Sequence, residues 1–147
     1  MINNFSYTGE RLTESFEGCK LIPYQDQNGI WTNGYGNTHA VVPGIAITQE
    51  QADSDLLRNI QWAQDFVNEK VTVQLNQNEN NAIVDCVFNI GSGNFEKSTL
   101  LKDLNAGNFS KIADDLEMWD RAAGAVCAGL LRRRVADAEE FNTPDAA

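Results

Sequence analysis

A chain of 147 residues with 42% hydrophobic and 22% charged side chains has the make-up of one globular domain, able to bury roughly 70% of the surface its unfolded form exposes. A formal net charge of −10 and a pI near 4.4 argue against binding nucleic acid or anionic lipid through bulk charge, since both favour basic surfaces. No apolar run approaches the ~18 residues of a membrane span, so no membrane anchor is expected. The opening MINNFSYTGERLTESF has neither the basic start nor the apolar core of a secretion signal. Cys19, Cys86 and Cys127 lack metal-ligand spacing and read as reduced, mostly packed thiols of a cytoplasmic product.

In chain order, Thr8 to Phe16 predicts a first helix, with Leu12 and Phe16 on one face and Gly18 just past the end. From Leu21 to Ile47 the apolar pieces are short and broken by Pro23, Gly29, Gly34, Gly36, Pro43 and Gly44, which predicts a small β-hairpin with loops. Thr48 opens a long helix. Thr48 and Gln51 form a capping box, and Ala52, Leu56, Ile60, Ala63 and Val67 mark a buried stripe. Asn76 with Glu79 caps a core helix through Ala82, Ile83, Cys86, Val87 and Ile90, which Gly91 and Gly93 end. Three further helices are predicted over Glu96 to Leu104, Ser110 to Arg121 and Leu130 to Phe141, with Thr143 to Ala147 frayed. The fold class is therefore α+β and a single domain spanning 1–147. A small β-hairpin lobe and a larger, mainly helical lobe are expected to leave a cleft between them for a ligand.

The chemistry concentrates in SFEGCKLIPYQDQNGIWTNGYGNT, residues 15–38. Glu17 falls at a helix end, where the partial negative charge of the carbonyls and the flanking Phe16 and Cys19 favour a carboxyl that keeps its proton. Asp26 follows nine positions later in a polar turn, and Thr32 six after that. Two acids in different surroundings plus a hydroxyl are what glycosidic hydrolysis requires. Each also has a plain structural reading: Glu17 as a solvent-facing last-turn residue, Asp26 as turn chemistry before Asn28-Gly29, and Thr32 as strand propensity. Gly34-Tyr35-Gly36 lacks the Lys and Ser/Thr of a phosphate loop. His39, the sole histidine, has no Cys or Glu at ligand spacing, so neither a metal, a cofactor nor a catalytic thiol is expected. Trp31, Trp62 and Trp119 read as core, and at least two of Arg132, Arg133 and Arg134 as a solvated helix face. Lys20, Lys97, Lys102 and those arginines are expected to form a positive rim on a negative body.

The stretch from Phe16 to Thr38 resembles the opening motif of the phage-type lysozymes, the endolysins of glycoside hydrolase family 24. Glu17, Asp26 and Thr32 fall on the family's acid, acid and hydroxyl without a gap. FNIGSGNFEKSTLLKDLNAGNF (88–109) and WDRAAGAVCAGLLRRR (119–134) resemble its later segments, so the likeness covers almost the whole chain. The resemblance implies a lysozyme-like fold and a muramidase. Glu17 would be the general acid, while Asp26 and Thr32 steady the cation and position water, with inversion at the anomeric carbon. Tyr35, Asn89, Phe95, Ser98, Thr99 and Arg132 would bind substrate. It further implies peptidoglycan glycan strands as partner, a monomer held in the host cytoplasm, and release to the periplasm and wall through a holin. Asn33 stands where the family commonly has an apolar residue, Asn37 where it often has His, and Asp137 where a Glu often follows the arginines. Asn37 is expected to loosen the hairpin or alter sugar contacts. Two other readings stay open: a non-catalytic wall-binding module, and a lytic transglycosylase that needs one acid and no water.

Overall fold

The five stripe residues Ala52, Leu56, Ile60, Ala63 and Val67 are at most 2% exposed, and the helix they organise, α2, runs Gln49–Lys70. The computed structural model describes residues 4, 6–122 and 124–145. Before α2 come α1 (Tyr7–Glu17), β1 (Lys20–Gln25) and β2 (Trp31–Gly34). After it come α3 (Gln77–Ile90), α4 (Ser92–Glu96), α5 (Thr99–Asn105), a 3-10 turn (Phe109–Lys111), α6 (Ile112–Glu117), β3 (Arg121–Ala122), β4 (Ala125–Val126) and α7 (Ala128–Asn142). Glu10–Gln61 forms one compact unit, and the described residues outside it form a second. The first holds the β1–β2 hairpin and the second is mainly helical, which is the α+β architecture expected. None of the described helices is long and apolar enough to cross a membrane.

In the hairpin unit, β1 and β2 pair antiparallel with Lys20 opposite Gly34 and Tyr24 opposite Thr32. Four steps along β1 thus match two along β2, and Pro23, which has no N–H to give a ladder, sits inside the irregular stretch. Gly34 takes φ +55°, a left-handed conformation that favours glycine, while Ala52 Cβ 3.4 Å from where its own Cβ would stand is only an ordinary contact. Asn37 ties the loop down instead of loosening it. Its backbone exchanges hydrogen bonds with Asn33 at 2.8 and 2.9 Å, and its Nδ2 donates to Asn33 Oδ1 and His39 O, both at 2.9 Å. Arg58 Nη2 and Asn59 Nδ2 donate to its Oδ1 at 3.3 and 3.1 Å. An amide can donate and accept at once, so Asn37 satisfies its neighbours, the Arg58 guanidinium among them, without itself carrying a charge. At Thr48 only half of the expected box forms, the Gln51 N–H donating to Thr48 Oγ1 at 3.1 Å while the Gln51 side chain turns to Asp55 at 2.9 Å.

In the helical unit the Asn76/Glu79 box forms in both directions, and every residue from Asn80 to Val87 is buried. α3 and α6 both pack on α7, with Phe109 edge-on to Phe141 at 5.6 Å. Gly91 (φ +90°) ends α3, but Gly93 belongs to α4 instead of to a loop. Ser98 caps α5 by accepting from the Leu101 N–H at 3.0 Å, which splits the helix predicted over Glu96 to Leu104. The helix predicted to Arg121 stops at Glu117, because Arg121 and Ala122 turn into the short β3–β4 ladder. Asp145, expected to fray, instead accepts from the first N–H groups of α3, Gln77 and Asn78, at 2.9 and 3.0 Å. Ala146 and Ala147 lie outside the described residues.

The largest departure concerns the arginines. Arg132 is exposed, but Arg133 and Arg134 are 5% and 0% exposed. Arg133 makes a bidentate pair with Asp85, Nε at 3.1 Å and Nη2 at 2.8 Å. Arg134 meets Asp137 at 3.1 Å through Nε, and its Nη1 donates to Cys86 Sγ at 3.1 Å. Burial pushes the Cys86 thiol up to about 12, so it sits there as a neutral acceptor. These two cations are neutralised inside the protein and add nothing to a positive rim. Of the thiols, Cys86 is buried as expected, Cys127 is half-buried and Cys19 is exposed. Trp31 and Trp62 are 37% and 43% exposed instead of core.

Candidate active site

Glu17 is the last residue of α1, and Gly18 at φ +65° reverses the chain directly after it. The left-handed turn stops the helix there and sends the backbone into β1 two residues on. Glu17 is half-buried. β1 runs into the turn that begins at Asp26, whose own N–H donates to Ile30 O at 2.9 Å.

Asp26 Oδ1 accepts from the Asn28 and Ile30 N–H groups at 2.8 and 2.9 Å, an Asx turn completed by Gly29 at φ +77°. Its Oδ2 has no hydrogen-bond partner among the described residues. The turn thus fixes the carboxylate's plane and leaves its second oxygen without a hydrogen bond among the described residues. Thr32, on β2 opposite Tyr24, is 4% exposed, and its hydroxyl donates to Ile30 O at 2.9 Å. With that proton committed, the oxygen lone pairs are what Thr32 offers to a water. Tyr35 follows β2, half-buried, with its hydroxyl accepting from Gln49 Nε2 at 3.0 Å. Glu17, Asp26, Thr32 and Tyr35 therefore share the hairpin unit.

The other expected substrate residues lie in the helical unit. Asn89 is exposed near the end of α3, Thr99 is exposed at the first position of α5, and Arg132 is exposed on α7. Phe95 is corrected to core. It is 0% exposed and edge-on to Phe66 at 6.3 Å, so its ring has no surface to offer a ligand. Ser98, 4% exposed, spends its hydroxyl inside the chain, donating to Phe95 O at 2.6 Å while capping α5.

Ser98 and Thr99 do line a cavity of about 270 Å³, together with Lys97, Asp115, Met118 and Trp119. Asp115 was missed by sequence reasoning, although Ile112, Asp115 and Leu116 share the helical face that α6 buries. It is 7% exposed, and its Oδ2 has no hydrogen-bond partner among the described residues. Burial first, then the Asp103 carboxyl beside it, pushes its carboxyl up to about 6, while Asp103 moves below its ordinary value. A carboxyl raised in the fold binds a proton that the unfolded chain has released. Stability is therefore lost as pH rises from about 4 to about 6, and the penalty persists above that. Asp115→Asn, whose amide can donate to Asp103, is expected to gain about 1–2 kcal/mol at pH 7 and almost nothing at pH 4. Urea denaturation at both values checks this, and an equal gain at both would remove the titration argument.

Comparison with known proteins gives the fold and the family. The chain is 38% identical over 144 residues to the endolysin of Acyrthosiphon pisum secondary endosymbiont phage 1, covering 95% of this chain and 99% of that one. A mutant of P22 lysozyme superposes with a TM-score of 0.91 at 34% identity, over 96% of this chain and 99% of that one. The muramidase domain of SpmX from Asticaccaulis excentricus superposes at 0.89, also at 34% identity, over 97% and 99% of the two chains. A model of the phage lysozyme family matches residues 14–137, from before Glu17 to the end of the buried arginine cluster, and the chain belongs to that family.

Proposed function

We propose that the chain is an endolysin muramidase, a glycoside hydrolase that cuts the β-1,4 bond between N-acetylmuramic acid and N-acetylglucosamine of peptidoglycan and so lyses the host. Glu17 gives its proton to the leaving sugar oxygen, while the Asp26 carboxylate steadies the positive charge that develops on the ring. Thr32 holds the attacking water. Its hydroxyl hydrogen points to Ile30 O, so its oxygen accepts from that water and turns a lone pair of the water toward the anomeric carbon. Attack by a held water inverts that centre. Tyr35, Asn89, Thr99 and Arg132 are proposed to contact the glycan strand. The protein works as a monomer, waits in the host cytoplasm and reaches the wall once a holin opens the membrane.

The observation that carries this reading is the Asp26 carboxylate, fixed by two backbone N–H groups through one oxygen, with no hydrogen bond to the other among the described residues. A structural turn needs only the first oxygen. A lytic transglycosylase would leave both Asp26 and Thr32 without a task, and a wall-binding module would need none of the three. Asp26→Asn separates charge from architecture, because an amide oxygen accepts the same two N–H bonds. This variant is expected to fold as the parent does and to lose roughly 10²-fold or more in rate. Mass spectrometry of digested peptidoglycan tests the reaction itself. Reducing muramic acid ends are expected, anhydro-muramic ends would establish the transglycosylase, and intact glycan would establish the binder.

A further inference from the structure

α2 begins at Gln49, and the side-chain amide of this residue joins three pieces of chain in the hairpin unit. Its Nε2 donates to Tyr35 Oη at 3.0 Å and to Asp53 Oδ1 at 2.9 Å. Cys19 Sγ stands 3.9 Å from the same nitrogen and 4.0 Å from Oε1. Asp53 lies one helical turn beyond Gln49, so the helix sets one N–H of the amide and thereby aims the other. Tyr35 is held between Gly34 and Gly36, at φ +55° and +78°. Cys19 belongs to the segment that leaves Glu17, two residues after it.

A phenol has one proton to give and lone pairs to receive. At Tyr35 a lone pair takes the Gln49 N–H, and the O–H has no acceptor among the described residues. The ring is half-buried and has Glu14, Cys19 and Asp53 as electrostatic neighbours. Burial and then Glu14 raise the phenol to about 12, so the proton stays in place at every pH compatible with a folded wall enzyme. The result is an oxygen held in place whose proton is unspent, with Glu14 and Cys19, on either side of the end of α1, as its neighbours.

We infer that Gln49 is a positioning residue, holding the Tyr35 phenol so that its O–H is presented to a hydroxyl or N-acetyl oxygen of the glycan strand next to the bond that Glu17 protonates. This rests on the muramidase reading. If Gln49 only stapled the hairpin to α2, its loss would lower stability and leave substrate affinity alone.

The test compares the parent, Tyr35→Phe, Gln49→Met and the double variant in reducing-end release from soluble glycan strands, alongside their melting temperatures. Tyr35→Phe removes the proton and is expected to raise KM about five- to tenfold with kcat within about twofold. Gln49→Met keeps the side chain's length and should raise KM nearly as far. The double variant should show no more than the larger single effect, because both act through one hydrogen bond. KM values that multiply in the double variant, or a Gln49→Met protein altered only in melting temperature, would overturn the inference while leaving the muramidase reading standing. No release by the parent itself would sink that reading and this inference together.

Discussion

Glu17→Gln is expected to fold and to lyse nothing. The substitution keeps the shape and hydrogen-bonding reach of the side chain but removes the transferable proton. General acid catalysis contributes typically 10²–10⁴-fold, and a sugar alkoxide is too poor a leaving group to depart without it. Glu17 closes α1 directly before Gly18 at φ +65°, so the turn that follows depends on the glycine and not on the carboxyl. Removing a negative charge from a helix C-terminus is also mildly favourable for the helix. The melting temperature should therefore stay close to that of the parent while clearing of permeabilised Gram-negative cells stops. A Glu17→Gln protein with near-parental lysis would remove Glu17 from the role of acid, whatever the fate of Asp26 and Thr32.

Asp85→Ala should have the largest effect on stability. The Asp85 carboxylate is 0% exposed and receives Arg133 through two N–H groups, with Arg134 Nη2 a further 3.9 Å away. Deleting it leaves two guanidinium groups in a region that water does not reach, with Asp137 as the remaining carboxylate partner in the cluster. Removing one member of a buried ion pair costs about 3–5 kcal/mol, a large share of the ~5–15 kcal/mol that holds a domain of this size together. Chemical denaturation reads this directly. A loss below about 1 kcal/mol would mean that solvent reaches the arginines and that the cluster is not a sealed one. The expected sign is opposite to that for Asp115→Asn in the same helical unit. Both acids are buried beside another carboxyl, but Asp85 also receives Arg133 through two N–H groups, whereas burial and the neighbouring Asp103 both oppose charge on Asp115.

Residue pattern made the local conformations legible. The stripe on α2, the reciprocal Asn76/Glu79 cap, the stop at Gly18 and the turn at Asp26 each depend on neighbours within about one helical turn, and a sequence displays those neighbours directly. Where reasoning went astray, the deciding partner was remote. Arg133 and Arg134 look like a solvated face because charge usually seeks water, yet Asp85 and Cys86 lie 48 residues away in sequence and bring them inside. Asn37 looked like a loosening change until Arg58 and Asn59, 21 and 22 residues on, closed around it. Phe95 followed a family pattern into the list of substrate contacts, and its packing on Phe66 took it out.

The sequence by itself determined the order of Glu17, Asp26 and Thr32, the backbone shapes that carry them and the family to which they point. Backbone preference and capping act over a few residues, and the spacing of the three groups is covalent. Only the tertiary structure decided which cations are spent on buried carboxylates, which oxygen of Asp26 is left unbonded, and that Gln49 holds Tyr35. Burial and counter-charge are properties of surroundings assembled from distant parts of the chain, and the free energy of a charge depends on those surroundings more than on its neighbours in sequence.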